Sequence, residues 1–219
     1  LAATAPGTKL WISFDPDGTV SLNNRDDVLV LDFAGERQSI VDKFKGDDPL
    51  RLSKFLEAHP EIETVVFDSV TEFGTRALLH GVTKIQNSKG PAPTFEQPGL
   101  QGYGMRNSIV YQMVMSLLKL TAKHNKNIIF VTHEDVPTLD KEGNIKSITM
   151  LLGGKLVTQV PLQISEVWHM QDIPKVGRTI TIRPHGFYKP MKTRMFLNDI
   201  NTRFKWIFDG NTFQGDGIS

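Results

Sequence analysis

Short runs of apolar and β-branched residues alternate along this chain with longer segments of helical periodicity. Four runs, at positions 9–14, 28–33, 63–67 and 127–132, read KLWISF, VLVLDF, ETVVF and NIIFVT. Strands that alternate with helices are typical of a mostly parallel sheet flanked by helices. The sequence therefore predicts an α/β fold with a twisted, mostly parallel sheet and helices on both faces. Later β-rich runs predict partly antiparallel strands at 165–171, 178–184, 193–197 and 205–208.

Helical periodicity is clearest at positions 107–124, where Ile109, Met113, Leu117 and Leu120 lie near one face. Shorter helical patterns cover 48–59 and 70–79. Between the helices, positions 84–104 are rich in Gly and Pro and predict a long loop. A second polar loop is expected at 135–154, with a small hairpin around 142–144.

Length and composition limit the classes of protein that fit. The 219 residues suit one α/β domain, which we expect to span 1–219. No apolar run approaches the roughly 20 residues that span a bilayer, so we expect no membrane contact and a cytoplasmic location. The absence of cysteine excludes disulfides and thiolate metal sites. A net charge of +1 means that any nucleic-acid contact must come from local basic loops or from repeated subunits.

Three of the predicted strands end in polar residues that suit nucleotide chemistry. Asp68 and Ser69 follow the run at 63–67, Asp17 lies just beyond the first run, and His133 follows the fourth. Ligands of open α/β sheets bind outside the carboxyl ends of the strands. Each residue also has a structural alternative: Asp68 as a helix cap, Asp17 as part of an Asp-Pro-Asp-Gly turn, and His133 as a structural histidine.

Taken together, several segments resemble the RecA-like P-loop ATPases, particularly small phage-encoded members linked to single-strand annealing and recombination. The segments are FDPDGT at 14–19, VFDSV at 66–70, FVTH at 130–133, TMLLGGK at 149–155 and KTR at 192–194. No Gly-x-x-x-x-Gly-Lys-Ser/Thr motif occurs in the sequence. Because the first residues look like the helix that follows such a motif, we expect the P-loop upstream of Leu1.

The resemblance implies ATP and Mg²⁺ as cofactors and assigns a role to each residue of the expected site. Asp68 would hold Mg²⁺ with support from Ser69, and Asp17 would take the place of the catalytic glutamate. His133 would occupy the sensor position. Lys192 and Arg194 would reach the nucleotide of a neighbouring subunit, although a solvated basic strand is an alternative. This arrangement implies a head-to-tail homo-oligomer, either a ring or a filament.

Single-stranded DNA is the expected macromolecular partner, and a single-strand binding protein is a further one. The first long loop and its end carry cations and an aromatic ring that could pair phosphates and stack bases. The expected DNA-binding residues are Lys84, Lys89, Tyr103 and Arg106 there, with Lys141 and Lys146 in the second loop. Both segments could instead be surface loops without a ligand.

Two other functions remain open from the sequence. A RecA-like helicase or a KaiC-like switch core would carry the same pair of trans-acting cations. A non-catalytic structural subunit without a P-loop would carry the same sheet but would not hydrolyse ATP.

Overall fold

A computed structural model describes residues 1–85, 92–175, 177–183, 187 and 191–194, together with the backbone of 203–208 and 213–215. The chain divides into two compact units, residues 1–133 and 134–219. The expectation of a single domain over 1–219 stays a prediction.

The first unit is built on a four-stranded parallel sheet with the strand order β2-β1-β3-β4. Its strands are β1 (Thr8–Ser13), β2 (Val28–Asp32), β3 (Ile62–Asp68) and β4 (Asn127–Val131). Asp68 at the end of β3 is paired in register with Ser13 of β1 and with Val131 of β4. The carboxyl ends of these strands therefore meet at one edge of the sheet, which we call the rim.

Helices and short 3₁₀ helices surround this sheet. The helices are α1 (Leu52–Ala58), α2 (Val70–Lys84) and α3 (Gly99–Lys123), and the 3₁₀ helices are Ala2–Thr4, Val20–Leu22, Gln38–Phe44 and Pro49–Arg51. A cluster of aromatic rings fills the core beneath the rim, with neighbouring centroids 5.1–6.2 Å apart. Its members are Phe14, Phe33, Phe44, Phe67 and Phe73.

Both long helices extend further than the sequence pattern predicts. Helix α2 continues to Lys84, and α3 begins at Gly99, so the loop predicted over 84–104 is wrong for its last six residues. The reason is tertiary packing, because Gly102 of α3 lies directly against Val82 of α2. A Cβ atom on Gly102 would lie 2.9 Å from Pro98 Cβ and 3.1 Å from Val82 Cγ1. The glycine is required for close contact between the helices and does not mark a loop.

The second unit contains a small hairpin, one helix and an antiparallel sheet. The hairpin pairs β5 (Thr138–Leu139) with β6 (Ile145–Ser147) and confirms the turn predicted at 142–144. Helix α4 (Leu156–Gln163) follows. The antiparallel sheet has the order β10-β9-β8-β7, with strands β7 (His169–Ile173), β8 (Gly177–Thr181), β9 (Arg203–Phe208) and β10 (Phe213–Gly215).

Two of the late strand predictions need correction. The strand expected from 165 begins at His169, and Val167 instead forms an isolated bridge with Lys192. Within the strand expected at 193–197, neither Thr193 nor Arg194 is in a strand, and 195–197 lie outside the described residues. The predicted fold class is nevertheless confirmed by the parallel sheet, its flanking helices and the antiparallel strands that follow. No helix in the part of the chain described is both long and apolar enough to cross a membrane.

Candidate functional site

The junction between β3 and α2 places two candidate residues at the rim. Asp68 is the last residue of β3, and Ser69 is the N-cap of α2. The Ser69 hydroxyl oxygen accepts a hydrogen bond from the backbone N–H of Glu72 at 3.2 Å, as a capping serine does. The same hydroxyl donates to Asp15 Oδ1 at 3.1 Å. The side chain of Ser69 thus caps the first turn of α2 and also links the end of β3 to Asp15 after β1.

Asp68 lies half-buried beside a second carboxylate. Burial, and after it the nearby negative charge of Asp15, together raise its pKa to about 6. Trp11 opposes this effect, because its indole N–H donates to Asp68 Oδ2 at 3.2 Å and favours the charged carboxylate. A carboxyl group whose charged form is disfavoured by its surroundings gains from a bound cation.

His133 completes the group of polar side chains at the rim. Its Nε2 lies 3.3 Å from Asp15 Oδ2, and its backbone N–H donates to Thr71 Oγ1 at 3.0 Å. The structure therefore brings Asp15, Asp68, Ser69 and His133 together, and we call these four residues the rim cluster. Of the residues that the sequence predicted for this site, Asp68, Ser69 and His133 belong to it.

Asp17, the expected catalytic carboxylate, is exposed in the turn after β1. Its backbone has a φ of 58°, and the turn is closed by a hydrogen bond from Gly18 N–H to the Asp15 carbonyl at 3.2 Å. The contacts to Ser69 and His133 are made by Asp15, so the catalytic role of Asp17 stays a prediction. Sequence reasoning missed Asp15, although it follows the first strand closely, much as Asp68 ends the third.

The donors at the rim fit a magnesium ion bound together with a nucleotide. Mg²⁺ prefers oxygen ligands, keeps several waters, and takes one or two protein carboxylates with substrate phosphates. Asp15 and Asp68 supply such carboxylates. Ser13, next to Asp68 in register, is fully buried with a hydroxyl that has no hydrogen-bond partner among the described residues. Those residues contain no group of three or more His, Cys, Asp or Glu that could hold a metal alone.

The two cations expected to act on a neighbouring nucleotide differ in their surroundings within the second unit. The ammonium group of Lys192 donates to the carbonyl of Ile164 at 2.7 Å and to that of Pro161 at 3.4 Å. A cation at the carboxyl end of a helix satisfies carbonyls that lack helical partners, and here the helix is α4. Arg194 is exposed, and its backbone N–H donates to Glu166 Oε1 at 2.5 Å. Only Arg194 can reach outward without loss of a helix cap.

The expected DNA-binding residues lie on regular elements as well as on loops. Tyr103 and Arg106 are in α3, with the guanidinium carbon 5.5 Å from the centroid of the Tyr103 ring. Burial lowers the pKa of Arg106. Lys84 is the exposed last residue of α2, and Lys89 lies outside the described residues. Lys141 and Lys146 are exposed in the hairpin of the second unit.

Comparison with known proteins gives one family. Residues 1–189 match the family model described as an AAA domain. No curated protein matches the chain.

Proposed function

The chain belongs to the family of AAA domains, and from that premise we propose that it hydrolyses ATP with Mg²⁺ while acting on single-stranded DNA. Family membership makes it a nucleotide-binding ATPase of the P-loop class. The assignment of residues, the DNA partner and the assembly go beyond what family membership gives. The observation that carries the assignment is the convergence of Asp15, Asp68, Ser69 and His133 at the carboxyl ends of parallel strands.

In this proposal the carboxylates of Asp15 and Asp68 face the metal, and Ser69, His133 and Asp17 have further tasks. Asp68 holds the metal, which neutralises charge on the phosphates when it is bound. Ser69 keeps Asp68 and Asp15 at a fixed separation by bonding Asp15 from the start of α2. Asp17 orients the attacking water, as the resemblance to RecA-like proteins implies. His133, which is the last residue of the first unit, contacts Asp15 through its side chain.

A P-loop would complete this site, and the sheet has a place for its strand. β4 pairs with β3 on one side, and no described residue pairs with its other edge. The strand is apolar, yet its side chains are only partly buried, whereas most of those of β3 are fully buried. Strands of a parallel sheet are normally covered on both faces, and a further strand with the helix that follows it would extend that cover over β4. We propose that the strand before the P-loop lies against this edge of β4.

Single-stranded DNA is proposed as the partner on the basis of the Tyr103 and Arg106 pair. The ring of Tyr103 is 47% exposed, and the guanidinium group of Arg106 packs on one of its faces. Exposed aromatic rings beside cations stack bases and contact phosphates without sequence preference. Because the whole chain carries a net charge of only +1, several subunits must contribute such contacts for tight binding.

ATP hydrolysis by the full-length protein, with and without single-stranded DNA, tests the proposal. We expect Mg²⁺-dependent hydrolysis that single-stranded DNA stimulates. Asp68→Asn should lower kcat by about 100-fold or more, since it removes the charge that holds the metal. Asp32→Asn is the matched control, because Asp32 ends the outer strand β2 and its carboxylate caps the backbone N–H of Ala34 at 2.8 Å.

The control variant should keep kcat within about twofold of the wild type, as expected for an exposed carboxylate on the outer strand that is not part of the rim cluster. An Asp68→Asn variant as active as Asp32→Asn would remove Asp68 from the site. If neither single-stranded nor double-stranded DNA changes the rate of ATP hydrolysis by the wild type, the result would favour a nucleotide switch over a DNA-directed ATPase.

A further inference from the structure

Arg76 is a buried cation whose charge the proposed chemistry does not use. It lies on α2 two turns after Ser69, and only 8% of the residue is exposed. Burial of a charged group is costly unless the group is fully hydrogen-bonded. The contacts of Arg76 should therefore reveal which parts of the fold need this cation.

The guanidinium group of Arg76 donates to carbonyls from three different segments. It donates to the Phe14 carbonyl at 3.0 Å and to the Ala34 carbonyl at 2.9 Å. It also donates to the carbonyls of Glu36 and Glu72, each at 3.2 Å. Its carbon lies 5.2 Å from the centroid of the Phe14 ring. The segment after β1, the segment after β2 and helix α2 are thus joined at one side chain.

Phe14 connects Arg76 with the rim cluster through the main chain. The Phe14 carbonyl carbon is bonded to the backbone nitrogen of Asp15, and because this peptide group is planar the two move together. The backbone N–H of Phe14 donates to the Asp68 carbonyl at 2.5 Å. Arg76 therefore fixes the peptide group that links Phe14 to Asp15. The carbonyl of Asp68 fixes the backbone N–H on the other side of Phe14.

We propose that Arg76 is a positioning residue that sets the separation between Asp15 and the Asp68–Ser69 pair at the rim. The proposal rests on the proposed function, because the separation matters for a nucleotide and its metal. Two paths fix Asp15: the Phe14 peptide held by Arg76, and the hydroxyl of Ser69 at the start of the same helix. A planar fork with five donors can hold several carbonyls in one plane, and lysine cannot.

A purely structural role would give a different set of results. A residue that only stabilises the fold would lower the melting temperature, and its effect on turnover would not depend on Asp15. A positioning residue that acts through Asp15 should instead lower kcat more than it changes KM for ATP. Its effect on kcat should also shrink once Asp15 itself is replaced.

The experiment uses Arg76→Lys, Asp15→Asn and the double variant in the full-length protein, with kinetics measured well below each melting temperature. We expect Arg76→Lys to lower kcat by about 10- to 100-fold while KM changes by less than about threefold, as for a displaced catalytic group. Arg76→Lys should lower kcat further by less than about twofold in the Asp15→Asn background. Arg76→Gln, which removes the buried cation and leaves only the partly exposed Glu72 carboxylate without its ion pair, serves as the second variant should the lysine variant fold poorly.

Arg25→Lys is the matched control. Arg25 makes a bidentate contact with Asp27, with its Nε and a terminal nitrogen at 2.9 and 2.8 Å from the two carboxylate oxygens. It precedes β2, at the end of the sheet away from the rim. The same substitution there should leave kcat within about twofold of the wild type. An equal loss of kcat in Arg25→Lys and Arg76→Lys would overturn the proposal.

A crystal structure of Arg76→Lys separates failure of this inference from failure of the proposed function. We expect the Ser69 Oγ to Asp15 Oδ1 distance to lengthen from 3.1 Å beyond hydrogen-bonding range, while α2 and the sheet stay in place. An unchanged distance would overturn the positioning role whether or not the wild type hydrolyses ATP. A wild type without ATPase activity would refute the proposed function alone, and the distance would still decide the role of Arg76.

Discussion

At the rim of the parallel sheet, Asp68 is subject to two opposing influences. Burial and the neighbouring Asp15 favour its neutral form, and the indole N–H of Trp11 favours its charged form. The first influence is the stronger, since the pKa of Asp68 is raised to about 6. A carboxyl group with a raised pKa is typical of functional sites, because there a ligand supplies the cation that stabilises its charged form.

The raised pKa of Asp68 predicts how stability depends on pH in the absence of Mg²⁺. An unfolded chain loses this proton near pH 4, whereas the folded chain keeps it until about pH 6, so the stability that the group contributes is lost as pH rises through that window. Asp68→Asn keeps the size and removes the charge. Above pH 6 the variant should therefore melt about 2–4 °C higher than the wild type.

Scanning calorimetry of the two proteins from pH 3 to pH 8 measures this difference. Below about pH 4 the two melting temperatures should coincide, because both side chains are then neutral. A gain of equal size at every pH would show that the effect of the substitution does not come from the charge of Asp68.

Individual site residues could be predicted from the sequence only where a strand ends at them. Asp68, Ser69 and His133 directly follow apolar runs, and the parallel sheet brings their positions together. The turn after β1 offers two carboxylates, and no local pattern says which one faces the rim. Contacts with Ser69 and His133, both distant in sequence, show that Asp15 does.

At the scale of elements, strands were more predictable than helix boundaries. All four parallel strands lie within about one residue of the apolar runs, because strands of a parallel sheet are rich in apolar and β-branched residues along their length. The start of α3 before residue 107, including its first turn, was missed because Gly99, Gly102 and Gly104 disfavour a helix locally. The contact of Gly102 with Val82 of α2 stabilises that turn, and such a contact cannot be read from the segment itself.

Two glycines of α3 give a matched pair that tests this packing. A Cβ atom on Gly104 would meet no atom within 4 Å, so Gly104→Ala should raise the free energy of unfolding by about 0.5–1 kcal/mol. A Cβ atom on Gly102 would press against Pro98 and Val82, so Gly102→Ala should lower it by about 1–3 kcal/mol. Urea unfolding of both variants measures the two changes, and effects of the same sign would contradict the packing described.

At the scale of the whole molecule, the proposal requires subunits that complete one another's sites. Arg194 is exposed, whereas Lys192 caps α4 within its own unit, so Arg194 is the better candidate for action on a neighbour's nucleotide. A head-to-tail interface would repeat this contact around a ring or along a filament. Each site would then combine the rim cluster of one subunit with Arg194 of the next.

Mixing two inactive variants tests this arrangement. Arg194→Ala and Asp68→Asn should each hydrolyse little ATP in the presence of single-stranded DNA. A 1:1 mixture should recover about a quarter of the wild-type activity, because that share of random neighbours pairs an intact rim cluster with an intact Arg194. If the variants co-assemble and the mixture recovers no ATPase activity, Arg194 lies outside the neighbour's site.

The location of the bound metal tests the central claim most directly. Mn²⁺ can replace Mg²⁺, and its unpaired electrons broaden the NMR signals of nearby nuclei. With Mn²⁺ and a non-hydrolysable ATP analogue, we expect selective broadening of the backbone signals of Asp15, Ser69 and Thr71 at the rim. Signals of Thr8, Ile62 and Asn127, at the opposite ends of the strands, should broaden much less. Broadening at those opposite ends, with Asp15 and Ser69 unaffected, would contradict the account.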